Sequence, residues 1–117
     1  AAALENKSDI EEMNYFSQQT FLNVLNREKI IASNKLAIDV QREVLARAKS
    51  VSSKASDGGV REAPFWVLVG ALMPAVLLEV GYITHPSEGE LINNSKYQDA
   101  LAKGLANGID VYFSNQR

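Results

Sequence analysis

From Phe65 to Ile83 the chain is almost uninterrupted apolar sequence, broken by Pro74 and carrying one carboxylate, Glu79. This run constrains the fold more than any other feature. It approaches the ~20 residues that cross a bilayer. Pro74 would break a helix at its middle, Glu79 would sit in lipid, and the enrichment in Val, Phe and Trp suits strands. The run therefore predicts two core strands and no membrane span. The strands are expected at about Phe65–Val69 and Ala75–Tyr82, joined through Gly70-Ala71-Leu72-Met73-Pro74. Apolar residues on both faces imply strands covered on both sides. An ionised Glu at the end of such a strand is costly to bury without a partner. Glu79 thus reads either as half of a structural ion pair or as a catalytic group.

Helical patterns flank the run. Ser8-Asp9-Ile10-Glu11 has the capping-box form. It opens a predicted helix whose apolar residues Ile10, Met13, Phe16, Phe21, Val24 and Leu25 cover a wide arc, so it has more than one surface to bury. A second helix is expected from about Ile30 to Lys49. Leu36, Val40 and Val44 form its apolar stripe beside Ala37 and Ala48, and Lys35, Asp39, Arg42, Glu43 and Arg47 form its wet face. Asp39–Arg42 and Glu43–Arg47 are at pairing distance along it. Residues 50 to 59 are small and polar, with Asp57-Gly58-Gly59 as a turn. His85-Pro86 ends the second strand, and Ser87 with Glu90 is a second capping-box pattern. Ser95 with Gln98 begins a last helix, with Tyr97, Leu101, Leu105, Ile109 and Phe113 in one stripe. Gly104 and Gly108 inside it suggest close approach to the sheet.

The expected fold class is therefore α/β: part of a mixed sheet covered by helices, here two helices, two strands and a C-terminal helix. Two strands are too few for a self-sufficient sheet, so the chain reads as a piece of a larger domain. Its 117 residues suffice for one small domain. A net charge of −2 gives no pointer to nucleic acid or an anionic membrane. There is no cysteine and one histidine, His85, so neither a thiolate site nor a classical multi-histidine zinc site can be built from this chain alone. The first residues, Ala1-Ala2-Ala3-Leu4-Glu5, lack the features of a signal peptide, so any export signal is expected outside this chain.

The run Gly59-Val60-Arg61-Glu62-Ala63-Pro64-Phe65-Trp66-Val67-Leu68, followed by Met73-Pro74-Ala75-Val76-Leu77-Leu78-Glu79-Val80-Gly81-Tyr82-Ile83-Thr84-His85-Pro86-Ser87-Glu88, resembles the C-terminal part of zinc-dependent N-acetylmuramoyl-L-alanine amidases. The resemblance continues through Glu90-Leu91, Tyr97-Gln98 and Leu101-Ala102 to Gly108-Ile109, so it spans roughly residues 33 to 113. It implies a peptidoglycan hydrolase of the bacterial cell envelope, periplasmic or extracellular, with residues 1–117 as the C-terminal portion of one catalytic domain.

The resemblance makes Glu79 a catalytic carboxylate beside zinc. The ion lowers the pKa of a bound water and polarises the amide, while the carboxylate takes a proton and hands it to the leaving amine. The family's zinc ligands, two histidines and a glutamate, are expected upstream of this chain. His85 falls where relatives often have Asn and reads as a turn residue. This chain alone is thus expected to be inactive.

In simpler members the helix resembling Ser33–Val51 follows the last zinc ligand closely, whereas here residues 1 to 32 intervene. Cell-division members carry such an insertion as a helix over the active site, displaced by an activator protein. The resemblance thus implies a regulatory insertion at 8–28, with the 10–25 helix as the activator's target. Glu11 and Glu12 are then candidates to approach the zinc; a solvated first helical turn is the plainer reading of both. A competing view makes the chain a helical interaction module derived from that fold, without catalysis and with Glu79 structural.

Overall fold

The computed structural model describes residues 27–63, 65–68 and 71–116. They contain three α-helices: α1, Arg27–Val51; α2, Pro86–Ile92; and α3, Ser95–Ser114. A single 3-10 turn, Trp66–Leu68, lies between α1 and α2. The expected helix at 10–25, with Glu11 and Glu12, lies outside the described residues.

No strand forms among the described residues, which overturns the expected α/β architecture and its mixed sheet. Trp66–Leu68 takes up most of the first expected strand as a turn, with Leu68 N donating to Phe65 O at 3.1 Å. Residues 75–82 carry no regular structure. The physical reason is pairing. Alternation and β-branching suit a residue to a pleated surface, but a strand exists only when another strand takes its backbone groups. No described segment does so here.

The described residues fall into two compact units, one drawn from 27–34 and 61–77, the other from 35–60 and 78–116. In the first, the Ser33 hydroxyl accepts a hydrogen bond from Ala75 N at 2.9 Å. The second holds the buried core: Val40, Val44 and Ala48 from α1, and Tyr97, Ala100 and Tyr112 from α3.

The α1 stripe is close to the expected one. Asp39 is the exception, placed on the wet face by its charge but only 8% exposed. Its carboxylate accepts from Arg42 Nη2 at 3.0 Å, the expected pair. Arg42 Nε also donates to Glu43 at 3.2 Å, so Glu43 is engaged by its immediate neighbour. These two carboxylates, Asp39 first, raise the Arg42 pKa above its ordinary value. α1 runs two residues into the expected 50–59 loop, to Val51, and residues 52–59 form the loop. Asp57 accepts from Gln41 Nε2 and from Gly59 N, both at 2.7 Å. Those bonds, the Gln41 one foremost, hold its carboxyl below the usual range.

On α3 the face that goes inward differs from the one the large residues suggested. Tyr97, Ala100, Gly104, Gly108 and Tyr112 are buried, whereas Leu105, Ile109 and Phe113 are exposed. The glycines explain this. A Cβ on Gly104 would lie 2.6 Å from Val44 Cα, and one on Gly108 would lie 2.5 Å from Val40 Cα. As the α3 number rises the α1 number falls, so the helices run antiparallel, each contributing a row spaced by four. The glycines do permit a close approach, as expected, but to a helix rather than a sheet. Two interior glycines cost about 2 kcal/mol in helix propensity. Burial of two valines, about 1.5–3 kcal/mol each, exceeds that.

No helix among the described residues is long and apolar enough to cross a membrane.

Gly104→Ala and Gly108→Ala pit a propensity gain of up to ~1 kcal/mol against backbone overpacking of ~1–3 kcal/mol. Both variants are expected to be less stable by about 1–2 kcal/mol in urea unfolding. Gly58→Ala, where an added Cβ meets nothing within 4 Å, serves as the control. Equal or greater stability of the Gly104 and Gly108 variants would show that the helices do not meet at these positions.

Candidate active site

Glu79 lies on an irregular segment running from Pro74 into α2. Residues 74–78 are half-buried, and exposure begins at Glu79 and continues through Pro86. The expectation of a carboxylate at the end of a strand buried on both faces is therefore corrected. Glu79 is solvent-accessible, and Tyr82 and Ile83 are 60% and 69% exposed.

The segment beyond Glu79 is held by α2. His85 is the N-cap of that helix, with extended backbone, and its Nδ1 accepts from Glu88 N at 3.3 Å. Pro86 follows at the first helical position, where its fixed φ and missing N–H suit a helix start. Glu88 reaches back, and its Oε2 accepts from Tyr82 N at 2.8 Å. His85 N donates to Tyr82 O at 3.1 Å, closing a turn over 82–85. Gly81 has φ +141°, a conformation that L side chains rarely adopt, and a Cβ there would lie 3.4 Å from Glu88 Oε2. A Cβ on Gly89 would lie 2.5 Å from Ile83 O, so the backbone of α2 rests directly on the segment.

The helix pair that carries this arrangement is tightly joined. Asn93 caps the end of α2 and Asn94 caps the start of α3, its side chain accepting from Tyr97 N at 3.0 Å. Gln98 Nε2 donates back to Ile92 O at 2.7 Å.

Of the sequence-derived site residues, Glu79 alone falls among the described residues; Glu11 and Glu12 do not. His85 acts in a turn and helix cap. Among the described residues no group of three or more His, Cys, Asp or Glu side chains comes together as a metal site requires. With the one histidine used as a cap and no cysteine, the described donors do not fit a zinc ion. Sequence reasoning missed Glu88 and Gly89. The signal was available: His85 and Glu88 have the spacing of an N-cap and third helical residue, two positions before the Ser87/Glu90 pattern that was read as the cap.

The chain matches the family described as N-acetylmuramoyl-L-alanine amidase over residues 9–111, a span that includes Glu79 and Glu88. Among curated proteins it is 36% identical over 81 residues to "Uncharacterized protein YqiI" of Bacillus subtilis, covering 69% of this chain and 37% of that protein. It is 35% identical over 79 residues to "Putative N-acetylmuramoyl-L-alanine amidase YrvJ" of the same organism, covering 68% of this chain and 14% of that protein. With "Probable cell wall amidase LytH" of Staphylococcus aureus it shares 36% identity over 59 residues, covering 50% of this chain and 20% of that protein. The match thus spans well under half the length of each of these relatives. No solved structure matches the chain significantly.

Gly81→Ala places a side chain at a backbone conformation whose strain is of order 1–3 kcal/mol. Hydrogen exchange followed by mass spectrometry is expected to show faster exchange across 79–85, with the α1–α3 core unaffected. Unchanged exchange in that peptide would mean the segment does not depend on the glycine.

Proposed function

The chain belongs to the N-acetylmuramoyl-L-alanine amidase family, and from that premise we propose that it is the C-terminal portion of the catalytic domain of a bacterial cell-wall hydrolase. The whole protein then cleaves the amide between the lactyl group of N-acetylmuramic acid and the L-alanine of the peptidoglycan stem peptide, in the cell envelope or outside the cell. The observation that supports this reading is the family match over residues 9–111, a span that includes the accessible Glu79.

In this reading Glu79 is the general base and acid. Its carboxylate accepts a proton from the attacking water and returns it to the departing L-alanine nitrogen, so the amine leaves neutral. The residues on α2 keep its segment in place during both transfers. Zinc, which the family resemblance implies, polarises the carbonyl and activates water when bound. The described residues do not fit it, so the metal is assigned to ligands outside them.

Residues 8–28 are proposed as a regulatory insertion, on the strength of the wide apolar arc from Ile10 to Leu25. Closed, the insertion covers the active site, with Glu11 or Glu12 near its centre. A protein activator opens it by binding the 10–25 helix. A few kcal/mol of differential binding suffices to shift a modestly biased two-state element.

In the full-length protein, Glu79→Gln is expected to leave the fold intact and lower turnover of purified sacculi ~10²–10⁴-fold. Near wild-type turnover would make Glu79 structural and end this assignment. Deletion of 8–26, which stops short of α1, is expected to raise basal activity without an activator. A folded deletion variant with unchanged basal activity and unchanged response to activator would make the insertion plain scaffold.

A further inference from the structure

We infer that Glu88 is a positioning residue for catalysis, holding the Glu79 segment through the Tyr82 amide. The inference rests on the assignment of Glu79 as the general acid/base. Two hydrogen bonds and the conformation of Gly81, all within one unit, support it. Glu88 Oε2 accepts from Tyr82 N at 2.8 Å, three residues beyond Glu79. The same oxygen lies 3.4 Å from where a Gly81 side chain would begin, at a residue with φ +141°. Glu88 N in turn donates to His85 Nδ1 at 3.3 Å, so backbone and side chain of one residue grip both ends of the 82–85 turn.

Among the described residues no strand pairs with this segment, and residues 79–85 are exposed and in no helix or strand. The Gly89–Ile83 approach restrains the far side of the turn, but Gly89 has no side chain with which to reach Glu79's side. A carboxylate accepting from a backbone N–H makes a charge-assisted bond, stronger than a neutral one. A displacement of about 1 Å at a general base can lower turnover ~10²-fold, so one bond at this place matters more to rate than to stability.

Glu88→Ala, Glu88→Gln and Glu79→Gln in the full-length protein, with the double variant Glu79→Gln/Glu88→Ala, test the inference on a soluble muramoyl-peptide substrate. Glu88→Ala is expected to lower kcat ~10–100-fold with KM changed less than about twofold, and to speed exchange of the Tyr82 amide. Glu88→Gln keeps an oxygen for that amide, in a weaker neutral bond, and recovers part of the loss. In the Glu79→Gln background, Glu88→Ala costs nothing further, because it acts through Glu79. If Glu88→Ala does not fold, Glu88→Asp reads the same quantity, keeping the charge while shortening the reach. Equal losses in Glu88→Ala and Glu88→Gln, a loss that multiplies on Glu79→Gln, or an unchanged kcat despite faster Tyr82 exchange would each overturn the positioning role. Wild-type turnover in Glu79→Gln overturns the Glu79 assignment instead, so the two failures are distinguishable.

Discussion

Gly104 and Gly108 bring the backbone of α3 against the backbone of α1 at Val44 and Val40, and the second unit is organised by that approach. Any side chain at either glycine would meet main-chain atoms, which cannot rotate away as a side chain can. The approach sets which face of α3 is buried. It takes Tyr97, Ala100 and Tyr112 inward and leaves Leu105, Ile109 and Phe113 outside. In a helix pair built this way, closeness of backbones rather than side-chain volume decides the interface.

The site inherits its footing from that helix pair. α2 is seven residues long, too short to persist alone. It is fixed because Asn93 and Asn94 join it to α3 with no free linker, and because Gln98 bonds back to Ile92. From that support Glu88, His85 and Gly89 hold residues 81–85. The order of dependence therefore runs from core to candidate site: α1 holds α3, α3 holds α2, and α2 holds the segment bearing Glu79. A carboxylate mounted on irregular backbone remains accessible, while the helix beside it bonds back to the segment at Tyr82.

The described helices were legible in the sequence because they depend on local chemistry, although their N-caps, His85 and Asn94, were not the residues expected. The α1 pattern of Leu36, Val40 and Val44, the Asp39–Arg42 pair and the Asp57-Gly58-Gly59 turn all rest on residues within a few positions of one another. The cap of α2 was two positions from the one read, since His85 is an uncommon N-cap and Ser87 a common one. The last helix was found, but not its buried face, because a stripe of large apolar residues outweighed two glycines whose partner lies some sixty residues away. The sheet was misread for a further reason. Val, Ile and Phe describe a surface that suits a strand, and say nothing of whether a partner backbone is present. Glu79 stood out in the sequence as a lone carboxylate in an apolar run. Glu88 did not, because its role is to accept from a backbone amide, and that amide belongs to a Tyr whose side chain looks like core.

The central claim is that this chain belongs to an enzyme that cuts one amide bond of peptidoglycan. Product analysis of purified sacculi digested by the full-length protein tests it most directly. The account predicts newly freed L-alanine N-termini, together with glycan strands whose muramic acid keeps its lactyl group and has lost its peptide. Release of sugars by glycosidic cleavage, cleavage within the stem peptide, or no released product from the folded protein supplied with zinc and lacking residues 8–26 would contradict it.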